Sequence, residues 1–247
     1  MVHRGAPLDG NAQLVENTLP AFANAYEQGF RYFETDVHAT RDGVLVACHD
    51  PSLRRVAGAK ARIGDLDWKD IADIPVGGQP LPRLTDLLEV FPDVRFNVDP
   101  KSDTAVAPLV DLVQRRDVLD RVCIASFSDR RLRWVRAALG SRACTAAGPR
   151  ELGTATYQAL RGVRIDLPGV DVLQIPRPLT RSSRTGRTWR LDLAEAAQRG
   201  GLPVHVWTVN KEREMGYLLE SGVDGVMSDD IDVLLRVFVA YGWCPST

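Results

Sequence analysis

Two carboxylates stand two residues apart in the segment Arg31-Tyr32-Phe33-Glu34-Thr35-Asp36-Val37, and a third, Asp99, closes a similar run, Val94-Arg95-Phe96-Asn97-Val98-Asp99. Both runs are rich in β-branched and aromatic residues and read as strands. Side chains alternate along a strand, so Tyr32, Glu34 and Asp36 share one face, as do Asn97, Asp99 and Lys101. Carboxylates side by side on a buried face are costly unless positive charge offsets them. Two partners suit them: a divalent cation, for which carboxylate oxygens are good ligands, or an arginine in a salt bridge. A third acid at an equivalent strand end shifts the balance toward the cation.

The chain has four histidines. His3 and His49 both fall at strand ends, and histidine titrates near neutrality, so the pair suits a general acid and base. Arg4 beside His3, together with Lys101, suits recognition of a phosphate or carboxylate. Lysine occurs only at 60, 69, 101 and 211, the other 27 of 31 basic residues being arginine. The excess of arginine reads as biased coding composition, and it makes a lysine in a motif stand out. His38 reads as a polar strand-end residue. His205 shares parity with Trp207 one layer deeper and reads as a hydrogen-bonded interior residue. Trp207, at a strand end, suits a pocket wall or the core.

Short apolar runs alternate with helical patterns along the rest of the chain. Thr18 can cap a helix whose first turn tolerates Pro20, whose apolar face is Leu19, Phe22, Ala23 and Tyr26, and which Gly29 ends. An extra strand over 44–48 follows the turn 40–43. Residues 51–82 carry Gly58, Gly64, Pro75, Gly77, Gly78, Pro80 and Pro82 and read as an irregular insertion with short helices only. Helices are then expected over 84–91, 105–116, 129–139, 149–161, 191–199, 211–220 and 230–241. They alternate with strands at 94–99, 122–126, 142–146, 170–175, 203–208 and 223–227.

Eight strands each followed by a helix predict an α/β fold, a TIM-type (β/α)8 barrel with a small insertion after strand 2. The rival doubly wound sheet would carry G-x-G-x-x-G at its first turn, and this chain has none there. The length of 247 residues suits one barrel domain over 1–247. Only Met1 and Val2 precede His3, whereas a strand usually runs ~5 residues. Strand 1 therefore reads as truncated in this chain, which leaves open whether the native start is Met1 or lies upstream.

Hydrophobic residues make up 45% and charged residues 26%, with a net charge of −1. That composition fits a soluble globular core and gives no global field for nucleic acid. No apolar run approaches the ~18 residues of a membrane span. Cys48, Cys123, Cys144 and Cys244 have no metal-type spacing, which suits a reduced compartment. The chain as given reads as cytoplasmic, or as secreted if a signal peptide lies upstream. Arg177, Arg181, Arg184, Arg187 and Arg190 fall within 14 residues. They read as a solvated loop or as a weak contact for anionic surfaces.

The motifs together resemble the glycerophosphodiester phosphodiesterases. His3-Arg4-Gly5, Glu16-Asn17-Thr18, Glu34-Thr35-Asp36-Val37, Thr40-Arg41-Asp42-Gly43 and His49-Asp50 match that family's H-R-G, E-N-T, E-x-D-V, T-x-D-G and H-D in order. Asn97 to Lys101 resembles its E-x-K strand. Ser126-Phe127, Val206 to Asn210 and Gly222 to Asp229 match its S-F, W-T-V-N and closing segments.

The resemblance implies a metal-dependent hydrolase that converts small glycerophosphodiesters to glycerol 3-phosphate and an alcohol. By the matched positions, Glu34, Asp36 and Asp99 would hold one Ca2+ or Mg2+, and His3 and His49 would exchange base and acid roles. Arg4 and Lys101 would hold the phosphate, with Glu16 beside it in an open role. Phe127 and Trp207 would line the glycerol and alcohol side. Asp99 departs from the family's usual Glu. A lysophospholipase-D-type activity on the same site is the alternative reading, and a non-catalytic binding barrel a further one.

Overall fold

The computed structural model describes residues 1–6, 15–177 and 189–243. The chain begins with β1 (Val2–His3), α1 (Leu19–Glu27), β2 (Tyr32–Ala39) and β3 (Leu45–Ala47). Two short helices, α2 (Arg54–Ala57) and α3 (Trp68–Ile71), lead to α4 (Leu84–Val90) and β4 (Arg95–Pro100). The alternation continues with α5 (Val106–Arg115), β5 (Val122–Ile124), α6 (Asp129–Leu139), β6 (Cys144–Thr145), α7 (Pro149–Leu160) and β7 (Leu173–Pro176). It ends with α8 (Trp189–Arg199), β8 (Val204–Trp207), α9 (Glu212–Glu220), β9 (Gly225–Val226) and α10 (Ile231–Ala240).

Parallel pairing runs β1-β2-β4-β5-β6 in one sheet and β7-β8-β9 in another. The parallel bridges Ala146↔Val172 and Val2↔Ser228 join the two sheets at both edges. Among the described residues this makes a ring of eight strands, with β3 antiparallel to β2 outside it. The architecture is the expected TIM-type α/β barrel. The strands expected at 142–146 and 223–227 contract to two residues each, because pairing continues as single bonds. Ala147 N donates to Val172 O, and Met227 N to Val206 O.

The core lies between ring and helices. Phe33 on β2 and Phe96 on β4 pack edge to face, 5.8 Å between centroids, under Phe22 of α1. All three are buried, and truncating such a ring costs about 3–5 kcal/mol. The same alternation that buries Phe33, Thr35 and Val37 against the helices turns Glu34 and Asp36 into the barrel. The Thr18 hydroxyl does not cap α1 as expected. It donates to Val15 O at 2.7 Å, a local backbone contact that competes with the cap.

Residues 51–82 fold as a small lobe on β3, with Leu53, Ile63, Ile71, Val76 and Leu81 buried around Val46 in a separate core. Of the arginine-rich stretch, Arg177 lies with Nη1 3.3 Å from Glu214 Oε2, and Arg181, Arg184 and Arg187 lie outside the described residues. Among the described residues, no helix is long and apolar enough to cross a membrane.

Candidate active site

The C-terminal ends of the ring strands open onto a cavity of about 370 Å³. Its lining includes His3, Arg4, Glu34, Asp36, His49, Asp99, Lys101, Phe127 and Trp207. Glu16 is not part of the wall, but its Oε1 lies 3.6 Å from Arg4 Nη1. Strand register explains the convergence. His3 pairs with Glu34, Glu34 with Asn97, and Asp36 with Asp99, so residues far apart in sequence reach the same level of the barrel.

His3 and His49 each rest on a carboxylate through Nδ1. His3 Nδ1 lies 2.5 Å from Asp229 Oδ1, and His49 Nδ1 lies 2.7 Å from Asp50 Oδ1. Asp229 is itself held by Asn210, whose Nδ2 donates to Asp229 Oδ2 at 3.0 Å. Burial pulls the His3 pKa down, but the Asp229 hydrogen bond and the Glu34 charge outweigh it and raise the value above the usual range. His3 Nε2 faces Glu34 Oε2 at 3.6 Å. A carboxylate on Nδ1 fixes the ring and leaves Nε2 for proton exchange. The backbone of His49 is held as well, since His38 Nε2 lies 3.1 Å from His49 O.

The acids and cations interleave. Lys101 Nζ bridges Asp36 Oδ1 at 2.6 Å and Asp99 Oδ2 at 2.8 Å, and Arg4 Nε lies 2.8 Å from Asp36 Oδ2. Burial would raise the Asp36 pKa, but Lys101 and Arg4 hold it below the ordinary carboxylate value. Asp99 is pushed up by burial despite Lys101. Glu34, 6% exposed, is pushed to about 8 by burial and by Asp36.

Among the described residues, Glu34 Oε2 is buried without a hydrogen bond. A buried carboxylate oxygen without a hydrogen bond, beside two further acids, suits a hard cation by donor chemistry. Among the described residues, however, no three His, Cys, Asp or Glu side chains gather as a ready ligand set. The Lys101 ammonium stands between Asp36 and Asp99.

The loop that carries Arg4 is bent into left-handed backbone, with φ of 52° at Arg4, 80° at Gly5 and 49° at Ala6. Gly5 is required there, because a Cβ would lie 2.7 Å from Ala21 Cβ. Non-glycine residues in this region cost about 1–3 kcal/mol each and persist only where their surroundings hold them. Here Arg4 N donates to Glu34 O, Asn17 N to Arg4 O, and the Thr35 hydroxyl to Asn17 Oδ1. Glu16 is placed by the same bonds.

The sequence matches the Glycerophosphoryl diester phosphodiesterase family over residues 3–233. The chain belongs to this family. It is 37% identical over 254 residues to "Probable glycerophosphodiester phosphodiesterase 2" of Mycobacterium tuberculosis, covering 98% of this chain and 91% of that protein. It is 24% identical over 265 residues to a lysophospholipase D of Homo sapiens, covering 92% and 82%. The fold matches glycerophosphodiester phosphodiesterase from Agrobacterium tumefaciens with a TM-score of 0.76 at 22% identity, over 96% of this chain and 98% of that one. It matches an Oleispira antarctica phosphodiesterase, solved in complex with the product sn-glycerol-3-phosphate, with a TM-score of 0.76 at 21% identity, over 98% and 97%. The chain is accordingly an enzyme with glycerophosphodiester phosphodiesterase activity.

Level with Glu34 and below Asp36 and Asp99, this glycerophosphodiester phosphodiesterase barrel carries an amide pair, Gln174 Nε2 donating to Asn97 Oδ1 at 2.8 Å. His205 corrects an expectation. It packs against Gly225, where a Cβ would come within 2.8 Å of its ring, but its buried Nδ1 has no hydrogen-bond partner among the described residues. Burial pushes its pKa down to about 4, so the ring stays neutral without one. Toward the mouth, Phe127 meets Trp207 edge to face with centroids 5.4 Å apart.

Asp229, Asp50, Asn210 and Arg55 support the site without having been expected to, although the first three stand inside the His49-Asp50, Val206 to Asn210 and Gly222 to Asp229 motifs. The signal for Asp229 and Asp50 was an acid adjacent to a strand end. Arg55 had no signal beyond its charge.

Proposed function

We propose that this enzyme hydrolyses glycerophosphodiesters to glycerol 3-phosphate and an alcohol, with His3 and His49 as the acid–base pair. The observation that carries this reading is the matched pair of contacts, Asp229 on His3 Nδ1 and Asp50 on His49 Nδ1, at one cavity that also holds Arg4 and Lys101. Nε2 of one histidine takes the proton from the glycerol 2-hydroxyl as that oxygen attacks phosphorus. The other histidine protonates the departing alcohol oxygen. A water then opens the cyclic phosphate with the two roles reversed, which returns both histidines to their starting states. Arg4 and Lys101 hold the phosphoryl oxygens and stabilise the charge that builds on them.

Glu34, Asp36 and Asp99 would hold one Ca2+ or Mg2+, whose chemistry is to neutralise phosphoryl charge. For that set to form, Lys101 must leave its bridge and turn to the phosphate, a move its flexible stem permits. The test is a head-group panel assayed for glycerol 3-phosphate after chelation and after Ca2+ or Mg2+ is added back. Release restored by either ion supports the reading, and full release without metal removes the metal from it.

A second reading, a lysophospholipase-D-type activity, is favoured by the mouth of the cavity. Phe127 is 66% exposed there, and the wall continues through Pro149, Leu152 and Pro176. An apolar rim suits an acyl chain. Glycerophosphocholine assayed beside lysophosphatidylcholine separates the two.

A further inference from the structure

Residues 51–82 lend the site one side chain. Arg55, on α2, donates from Nη1 and Nη2 to the two oxygens of Glu16 at 2.9 and 2.6 Å, and from Nε to Asp50 Oδ2 at 2.7 Å. The other oxygen of Asp50 holds His49. Glu16 faces Arg4 at 3.6 Å, and Arg4 contacts Asp36. A single guanidinium therefore ties the support of a histidine to the acid next to a phosphate-binding arginine. A planar fork of five donors grips both oxygens of one carboxylate and a second carboxylate from Nε, a geometry that the single nitrogen of an ammonium does not reproduce.

The position of Arg55 is set locally. Leu53, fully buried in the lobe, anchors the turn, Ala57 N donates to Leu53 O, and Gly58 ends the helix at φ 67°. Arg55 itself is 48% exposed and is not part of the cavity wall. Its contacts serve charges, not core packing.

We infer that Arg55 is a positioning residue with two effects. It holds the His49–Asp50 pair in register with the cavity. It also occupies both oxygens of Glu16, so that Glu16 stays at 3.6 Å from Arg4 and does not close to a hydrogen bond that would compete with the substrate phosphate. This rests on the reading of His49 as an acid–base group.

The experiment measures kcat and KM for glycerophosphocholine with wild type, Arg55→Ala, Arg55→Lys and the Arg55→Ala/Glu16→Gln double variant, each checked for an unchanged melting temperature. Arg55→Ala is expected to lower kcat by about 10²-fold, the scale of a misplaced catalytic group, and to raise KM severalfold. Adding Glu16→Gln should bring KM back toward wild type while kcat stays low. Guanidinium ion should raise kcat for Arg55→Ala and leave wild type unaffected. Wild-type kcat and KM in Arg55→Ala, or a folded Arg55→Ala that guanidinium does not rescue, overturns the inference. If Arg55→Ala does not fold, Arg55→Lys carries the test: lowered kcat supports the inference and wild-type kcat overturns it. A His49→Ala variant separates the two failures. If it keeps full activity, the acid–base reading has failed; if it is inactive while Arg55→Ala is not, only the role of Arg55 has.

Discussion

His3 Nδ1 lies 2.5 Å from Asp229 Oδ1, a contact between residues 226 positions apart. It forms because β1 closes the ring against the strand end after β9, where His3 N donates to Ser228 O. Closure of the barrel and orientation of the histidine are thus one structural event.

Asp229→Ala should therefore lower kcat by about 10²-fold, the usual weight of a positioned acid–base group, with a smaller change in KM. The sign of the pH effect follows from the same contact. Burial lowers the His3 pKa, and Asp229 with Glu34 raises it past the usual value. Without Asp229 the limb of the kcat/KM profile that belongs to His3 should move to lower pH. A limb that stays in place contradicts the pairing.

Asp99 is one methylene shorter than the Glu usual to the family, and Pro100 restrains the backbone after it. Asp99→Glu should tighten Ca2+ or Mg2+ binding severalfold and raise activity at limiting metal. Metal titration of the two proteins checks this, and equal affinities would discard it.

The Arg55 hydrogen bond, opposed by burial and supported by His49, holds the Asp50 pKa at about 2, below its ordinary 3.8. A depressed carboxylate stabilises the fold above its unfolded pKa and loses that contribution as pH falls through the folded value. Asp50 is partly exposed, so we expect about 1 kcal/mol. In urea unfolding, Asp50→Asn should be less stable than wild type at neutral pH, and the gap should narrow between pH 4 and pH 2. A gap that is constant with pH counts against it.

Gly5→Ala meets two penalties, left-handed backbone at φ 80° and a Cβ 2.7 Å from Ala21 Cβ. Together they should cost about 2–4 kcal/mol. The loss is read from urea midpoints, with activity falling as Arg4 is displaced.

What was legible in the sequence was short-range. Glu34 with Asp36, and Asp99 with Lys101, share faces because strands alternate with period two, and that rule needs no tertiary structure. The alternation of apolar runs gave the barrel for the same reason. Contacts that depend on closure of the ring or on docking of the lobe were not legible. Asp229 reaches His3 from the far end of the chain, and Arg55 reaches Glu16 across 39 positions. Thr18 and His205 were misjudged because a single residue's polar partners depend on neighbours that spacing does not name. Thr18 found Val15 O, and His205 found none for Nδ1 among the described residues.

The central claim is that His3 and His49 carry the hydrolysis. It is tested most directly by glycerol 3-phosphate release from glycerophosphocholine by wild type, His3→Ala, His49→Ala and the double variant, with metal present. We expect each single variant to lose at least about 10²-fold in kcat. The double variant should fall little further, because groups that act as a unit are not additive. Release by the double variant at the wild-type rate would contradict the account.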